Sequence, residues 1–251
     1  MPEPAPGGSA PPASTPTPTS MSVIAHLADL RRCLIRAISA LLVCAAAAFY
    51  FSDRLLQAIH LPLSAPLIFL SPEEALWADL KLSLFFGLLA SFPVIVYQAW
   101  RFVAPGLHPR ERRYAFPVIL AAVLLFFLGV AFCYFIALPF ALDFLIEYGR
   151  RRNIEPQISV SHYVDFQIKF LLAFGLIFDL PAVMLVLAKM GWLTAEFLRQ
   201  KRRYAIFLCF LAAAILTPTP DIFNQTLMAV PLILLYEIGL IAVRIFGRRY
   251  D

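Results

Sequence analysis

The stretch from Tyr114 to Leu142, YAFPVILAAVLLFFLGVAFCYFIALPFAL, runs without a charged side chain. A helix needs about 20 apolar residues to cross a hydrocarbon layer of about 30 Å. This segment exceeds that length, so its natural solvent is lipid. Working outward, segments of the same kind recur at about 34–51, 71–100, 164–187, 204–216 and 222–245. The chain is 61% hydrophobic and 15% charged, against roughly 25% charged in ordinary soluble domains. The fold class expected is an all-α integral membrane protein with six transmembrane helices, the fifth and sixth short.

Residues 1–20 are rich in Pro, Ala, Ser and Thr, with Glu3 as their only charged side chain. They lack the basic start and apolar core of a signal peptide and read as a disordered tail. The membrane domain then covers 21–247, and 248–251 form a basic tail. Val23, Leu27, Leu30 and Leu34 recur at helical spacing and lead into the first span as an amphipathic helix. The segment 52–70, with Pro62 and Pro66, reads as a loop.

Ser71-Pro72-Glu73-Glu74 carries the signals of a helix start: a capping hydroxyl, proline at the first helical position and acids in the first turn. Pro93 is expected to kink the helix that follows. Ala104-Pro105-Gly106 ends it, and Gly191 with Thr194 introduces a short basic helix through Arg203. The fifth segment has only about 13 apolar residues, some 20 Å of helix, and reads as a span that thins the membrane locally.

Six spans place the N-terminus, the second and fourth loops and the C-terminus on one side. Those parts hold fifteen of the 21 Lys and Arg residues, which makes that side cytoplasmic; the location expected is the cytoplasmic (inner) membrane. The run Arg150 to Arg152 is the exception, placed outside.

Phosphate-binding, zinc-protease, serine-hydrolase and dinucleotide motifs are all missing, so no enzyme activity and no cofactor are expected. The four cysteines are scattered without a C-x-x-C pair, which argues against a metal site. No nucleic-acid partner is expected. The polar groups that remain carry the function. Asp179, in Phe178-Asp179-Leu180-Pro181, lies deep in the fourth span, where a carboxyl either stabilises the bundle or lines a functional pocket. Asn224 and Gln225 can join helices or meet a partner. Lys81 and Glu237 lie nearer span ends and can snorkel. Asp29 and Glu111 are acids in basic surroundings, suited to pairing with nearby arginines or to gripping guanidiniums brought by a ligand.

Several segments together resemble the TatC family of the Sec-independent, twin-arginine protein translocase. They are His26-Leu27-Ala28-Asp29-Leu30-Arg31, Ser64-Ala65-Pro66-Leu67, Phe102-Val103-Ala104-Pro105-Gly106-Leu107 with Glu111-Arg112-Arg113, Ala173-Phe174-Gly175 leading to Asp179-Leu180-Pro181, and Leu216-Thr217-Pro218 through Asp221 with Gln225-Thr226-Leu227. The resemblance covers about 22–247. It implies a concave six-helix receptor with cytoplasmic termini that binds twin-arginine signal peptides on folded cargo. It also implies assembly with TatA and TatB, as a homo- or hetero-oligomer, and use of the proton-motive force.

In the family, the positions matching Asp29 and Glu111 are implicated in docking the arginine pair. Arg31 and Phe102 fall in the same motifs, while Pro66 in the outer loop and Asp221 and Gln225 near the last two helices are further matched positions. The family usually has Glu where this chain has Asp29, and commonly where it has Asp179, so charge is kept and reach shortened. A secondary transporter or channel for a small solute, with Asp179 as its ion site, is the alternative. An intramembrane hydrolase lacks a nucleophile and base.

Overall fold

The computed structural model describes residues 23–60, 67–68, 70–104, 115–153, 157–216 and 222–246. The first long helix, α1 (Val23–Phe49), is followed by α2 (Ser52–His60), the short strand β1 (Leu67–Ile68) and α3 (Glu74–Val103). Next come α4 (Ala115–Phe132), a π-helical segment at Cys133–Ala137, and α5 (Leu138–Arg150). Strand β2 (Ile158–Ser159), α6 (Val160–Phe178) and α7 (Leu180–Lys189) follow, and the chain closes with α8 (Ala195–Gln200), α9 (Arg202–Leu216) and α10 (Ile222–Phe246).

Five stretches are long and apolar enough to cross a membrane by themselves: 27–49, 74–103, 116–150, 160–189 and 228–246. The last of these lies within α10, a helix of 25 residues. Helix α9, expected as the short fifth crossing, has 15 residues, covers only about 22 Å of axis and is not among these five. Exposed aromatic residues, Tyr50 and Trp77 at one end and Trp192 at the other, mark two interfacial levels.

The segment expected to be a loop after the first span contains a helix. Ser52 to His60 places Leu55, Leu56 and Ile59 against the bundle and leaves Asp53, Arg54 and Gln57 exposed, an amphipathic pattern two turns long. Nothing in its sequence supplies intrahelical partners for the last carbonyls, which every helix end leaves open. The bundle supplies them. Tyr134 donates to Ala58 O, and both Tyr163 Oη (2.9 Å) and Gln167 Nε2 (3.1 Å) donate to Ile59 O. The carbonyl oxygen of Gln167 has no partner among the described residues.

The outer loops are tied to each other at the same end. Strands β1 and β2 pair in parallel, Leu67 opposite Ile158 and Ile68 opposite Ser159. Glu74 joins this clamp, accepting from Leu70 N at 3.1 Å and from Ser159 Oγ at 3.0 Å. It holds the start of α3 from its first turn, where negative charge suits the helix dipole. The Ser71 hydroxyl expected to cap α3 does not: the cap position is Glu73, without a side-chain hydrogen bond. Lys81, expected to snorkel freely, lies 2.7 Å from Asp165 on α6.

Close helix contacts set the body of the bundle. A Cβ on Gly87 would lie 2.6 Å from the Ala45 backbone, so the absence of a side chain there lets α1 and α3 touch. Pro93 sits inside an otherwise continuous α3. Pro139 follows the π-helical segment. Its ring cannot donate and would collide with the carbonyl four residues back, and the widened turn relieves this by sending Leu138 N–H to Cys133 O. Helix α7 ends at Gly191, whose φ of 81° allows the left-handed turn that closes the helix. Thr194 Oγ1 then caps α8 by accepting from Phe197 N at 3.2 Å, as its sequence position foretells.

Candidate functional site: an apolar groove at the basic end

The end of the bundle opposite the outer-loop clamp is where α3 finishes, α4 starts and α7 finishes. An apolar groove of about 600 Å³ opens there between those three helices. Trp100, Phe102 and Val103 come from the last turn of α3, Val118 and Ala122 from α4, and Val186, Met190 and Trp192 from the end of α7 and the turn beyond it. Each wall is a helix terminus or a half-buried helix face, because the residues that would close the bundle here are valine, alanine and methionine.

Asp179 stands at the inner limit of this groove, between α6 and α7. Pro181, two residues on, cannot donate to the carbonyl four residues before it, so one continuous apolar stretch is divided at this point. Asp179 caps the break through its backbone, with N–H to Leu176 O at 3.2 Å and its own carbonyl accepting from Val183 N at 3.0 Å. Its side chain is buried, and Oδ1 has no hydrogen-bond partner among the described residues. A buried polar atom left open is costly in apolar surroundings. Asp179 is thus among the residues that line the groove.

Asp29 lies on α1, half-exposed, and among the described residues it pairs with Arg32 Nη1 at 4.0 Å, the outer limit of an ion pair. Arg31 is exposed beside it. Helices α1 and α3 run in opposite directions, and counting equal steps from the Ala45–Gly87 contact brings Asp29 level with Val103 at the mouth of the groove. The structure thus brings Phe102 and Asp179 into one groove and sets Asp29 at the height of its opening. Glu111, Pro66 and Asp221 lie outside the described residues.

Gln225 is elsewhere. Its Nε2 donates to Phe210 O at 3.1 Å and ties the start of α10 to α9. At the other end of that pair Arg202 Nε approaches Glu237 Oε1 to 2.6 Å, and Tyr236 Oη donates to Leu198 O at 2.7 Å, holding α8 in place. The ion pair of Glu237 replaces the snorkelling expected of it.

Sequence reasoning missed the tryptophans and Met190 of the groove, whose only sequence signal is their place at helix ends next to turns. It also missed Tyr134, Tyr163 and Gln167. Their signal is a polar tip once per turn on an otherwise apolar helix face.

A bundle of membrane-crossing helices clamped at one end and grooved at the other, with an orphan carboxyl in the groove, defines a polytopic membrane protein. Residues 25–231 match the family model described as Sec-independent protein translocase protein (TatC). The proteins of that name from Desulforapulum autotrophicum and Aquifex aeolicus are 39% and 40% identical to this chain, covering 90% and 91% of it and 85% and 97% of their own lengths. A crystal structure of the twin arginine translocase receptor TatC superposes with a TM-score of 0.78 at 41% identity, covering 89% of this chain and all of that one. The chain belongs to the TatC family.

Proposed function

We propose that the chain is the receptor subunit of a twin-arginine translocation system in the cytoplasmic membrane, with the basic end and both termini facing the cytosol. The observation that carries this reading is the open apolar groove with the unpartnered Asp179 at its depth and Phe102 in its wall. Asp29 supports it. Among the described residues its one ion pair is at 4.0 Å, which leaves it suited to a guanidinium arriving on another polypeptide. In this reading Glu111, assisted by Asp29 and steadied by Arg31, grips the two arginines of a signal peptide, and the apolar part of the signal enters the groove.

TatA- and TatB-type single-span helices dock on the α9–α10 pair, where Phe207, Leu208 and Ile215 are exposed on a helix too short to match the bilayer. Gln225 braces that pair, and Asp221 and Pro66, both outside the described residues, are assigned to the same partner and outer-loop contacts. The proton-motive force drives the passage of folded cargo, since the chain carries no nucleotide site of its own.

A photoreactive twin-arginine peptide and its twin-lysine version, applied to membranes containing the protein, test the central claim. Lysine keeps the charge and loses the bidentate fork. The arginine peptide labels about tenfold more, and Glu111→Ala removes the preference. Equal labelling by the two peptides, or labelling indifferent to Glu111→Ala, overturns the reading.

A further inference from the structure

Helix α6 has two unlike sides. Val164, Gln167, Leu171, Phe174 and Phe178 are buried along one of them. Along the other, His162, Lys169 and Leu176 are exposed and recur every seven residues, which is one stripe of a helix. Lys169 stands at the centre of this stripe, inside the membrane-crossing stretch that begins at Val160 and by about 13 Å of helical rise beyond that start. Among the described residues it has no hydrogen bond and no ion pair.

The side chain of a helical residue points back toward the helix N-terminus, so the Lys169 ammonium rises toward Asp165 one turn above. That carboxylate is already taken. Lys81 from α3 lies 2.7 Å from it and within 3.4 Å of Ser161 Oγ, so Asp165 faces its own bundle as half of an interhelix ion pair. Lys169 is therefore a second cation beside a neutralised acid, on a face that no described helix of this chain covers.

A charge at this depth takes a partner from its surroundings. The headgroup level, marked by Tyr50 and Trp77, lies near the start of the helix rather than a third of the way along it. A lipid phosphate would have to leave that level to reach Lys169. We infer that the His162–Lys169–Leu176 stripe is a docking face for a second membrane-spanning helix that carries one Asp or Glu at the depth of Lys169. The carboxylate supplies the missing counter-charge, and the seven-residue spacing of the stripe fits a helix lying alongside α6 at a shallow crossing angle. This face is distinct from the α9–α10 pair and from the groove, and it does not depend on signal-peptide binding.

The experiment uses the full chain in zwitterionic vesicles, with a photoreactive residue in place of Leu176. The probes are three leucine-rich single-span peptides that carry Glu, Gln or Lys at the depth of Lys169. Labelling by the Glu peptide exceeds labelling by the Gln peptide by about tenfold. In Lys169→Gln the two become equal, and in Lys169→Glu the preference passes to the Lys peptide, an inversion that a misfolded variant cannot produce. Equal labelling of the native stripe by the Glu and Gln peptides overturns the inference, as does a Glu preference that survives in Lys169→Gln.

Discussion

The two ends of this bundle treat their polar groups in opposite ways. At the clamped end, three donors from the π-helical segment and α6 converge on the open carbonyls of α2, the outer loops pair through β1 and β2, and Glu74 accepts from two donors. At the basic end, Asp179 keeps a buried oxygen unpartnered in a 600 Å³ groove and Asp29 is only loosely paired. Among the described residues, Gln167 Oε1 is the clamp's own unpartnered atom, but Gln167 is fully buried and its Nε2 is bonded to Ile59 O, whereas the open oxygen of Asp179 belongs to a residue that lines a groove. The clamp is the part that fixes shape, and in the proposed reading the groove is the part left for a ligand.

That contrast breaks most visibly at the clamp. Tyr163→Phe together with Gln167→Leu strands the Ile59 carbonyl in an apolar interior and lowers unfolding stability by about 3 kcal/mol, measured by denaturant titration in detergent micelles. The opposite sign is expected at the groove. Asp179→Leu removes an unpartnered carboxyl and raises stability by about 1–2 kcal/mol in the same titration, while labelling by a twin-arginine peptide falls. If both substitutions destabilise alike, the two ends are not different in kind.

Smaller effects sharpen the comparison. Lys81→Met leaves Asp165 without its partner, and because both side chains are about a third exposed the loss is about 1 kcal/mol, read from the thermal midpoint. Gln225→Leu removes the bond to Phe210 O and costs about 0.6 kcal/mol. Hydrogen exchange at the start of α10 is the sensitive readout for it, since loosening is confined to the α9–α10 pair.

What is local in this protein was legible in its residues. The apolar runs are long enough to declare the membrane as solvent. The proline after Asp179, the Ala104-Pro105-Gly106 break and the Thr194 cap fall where the helices divide, end and begin. The site was legible in part: Asp179 was singled out because an acid among apolar neighbours is conspicuous, whereas Trp100 and Trp192 were not, because an aromatic residue at a helix end is ordinary.

Helix α2 was hidden because prolines on its far side dominated the reading of that segment. Its last carbonyls find their donors on Tyr134, Tyr163 and Gln167, far along the chain. Sequence alone determined which segments enter the membrane, because the length and apolarity of a run are properties of neighbouring residues. Only the tertiary structure decided which polar groups are spent on partners and which remain open. Hydrogen bonds and ion pairs between helices depend on distances across the bundle, and no periodicity along one helix records them.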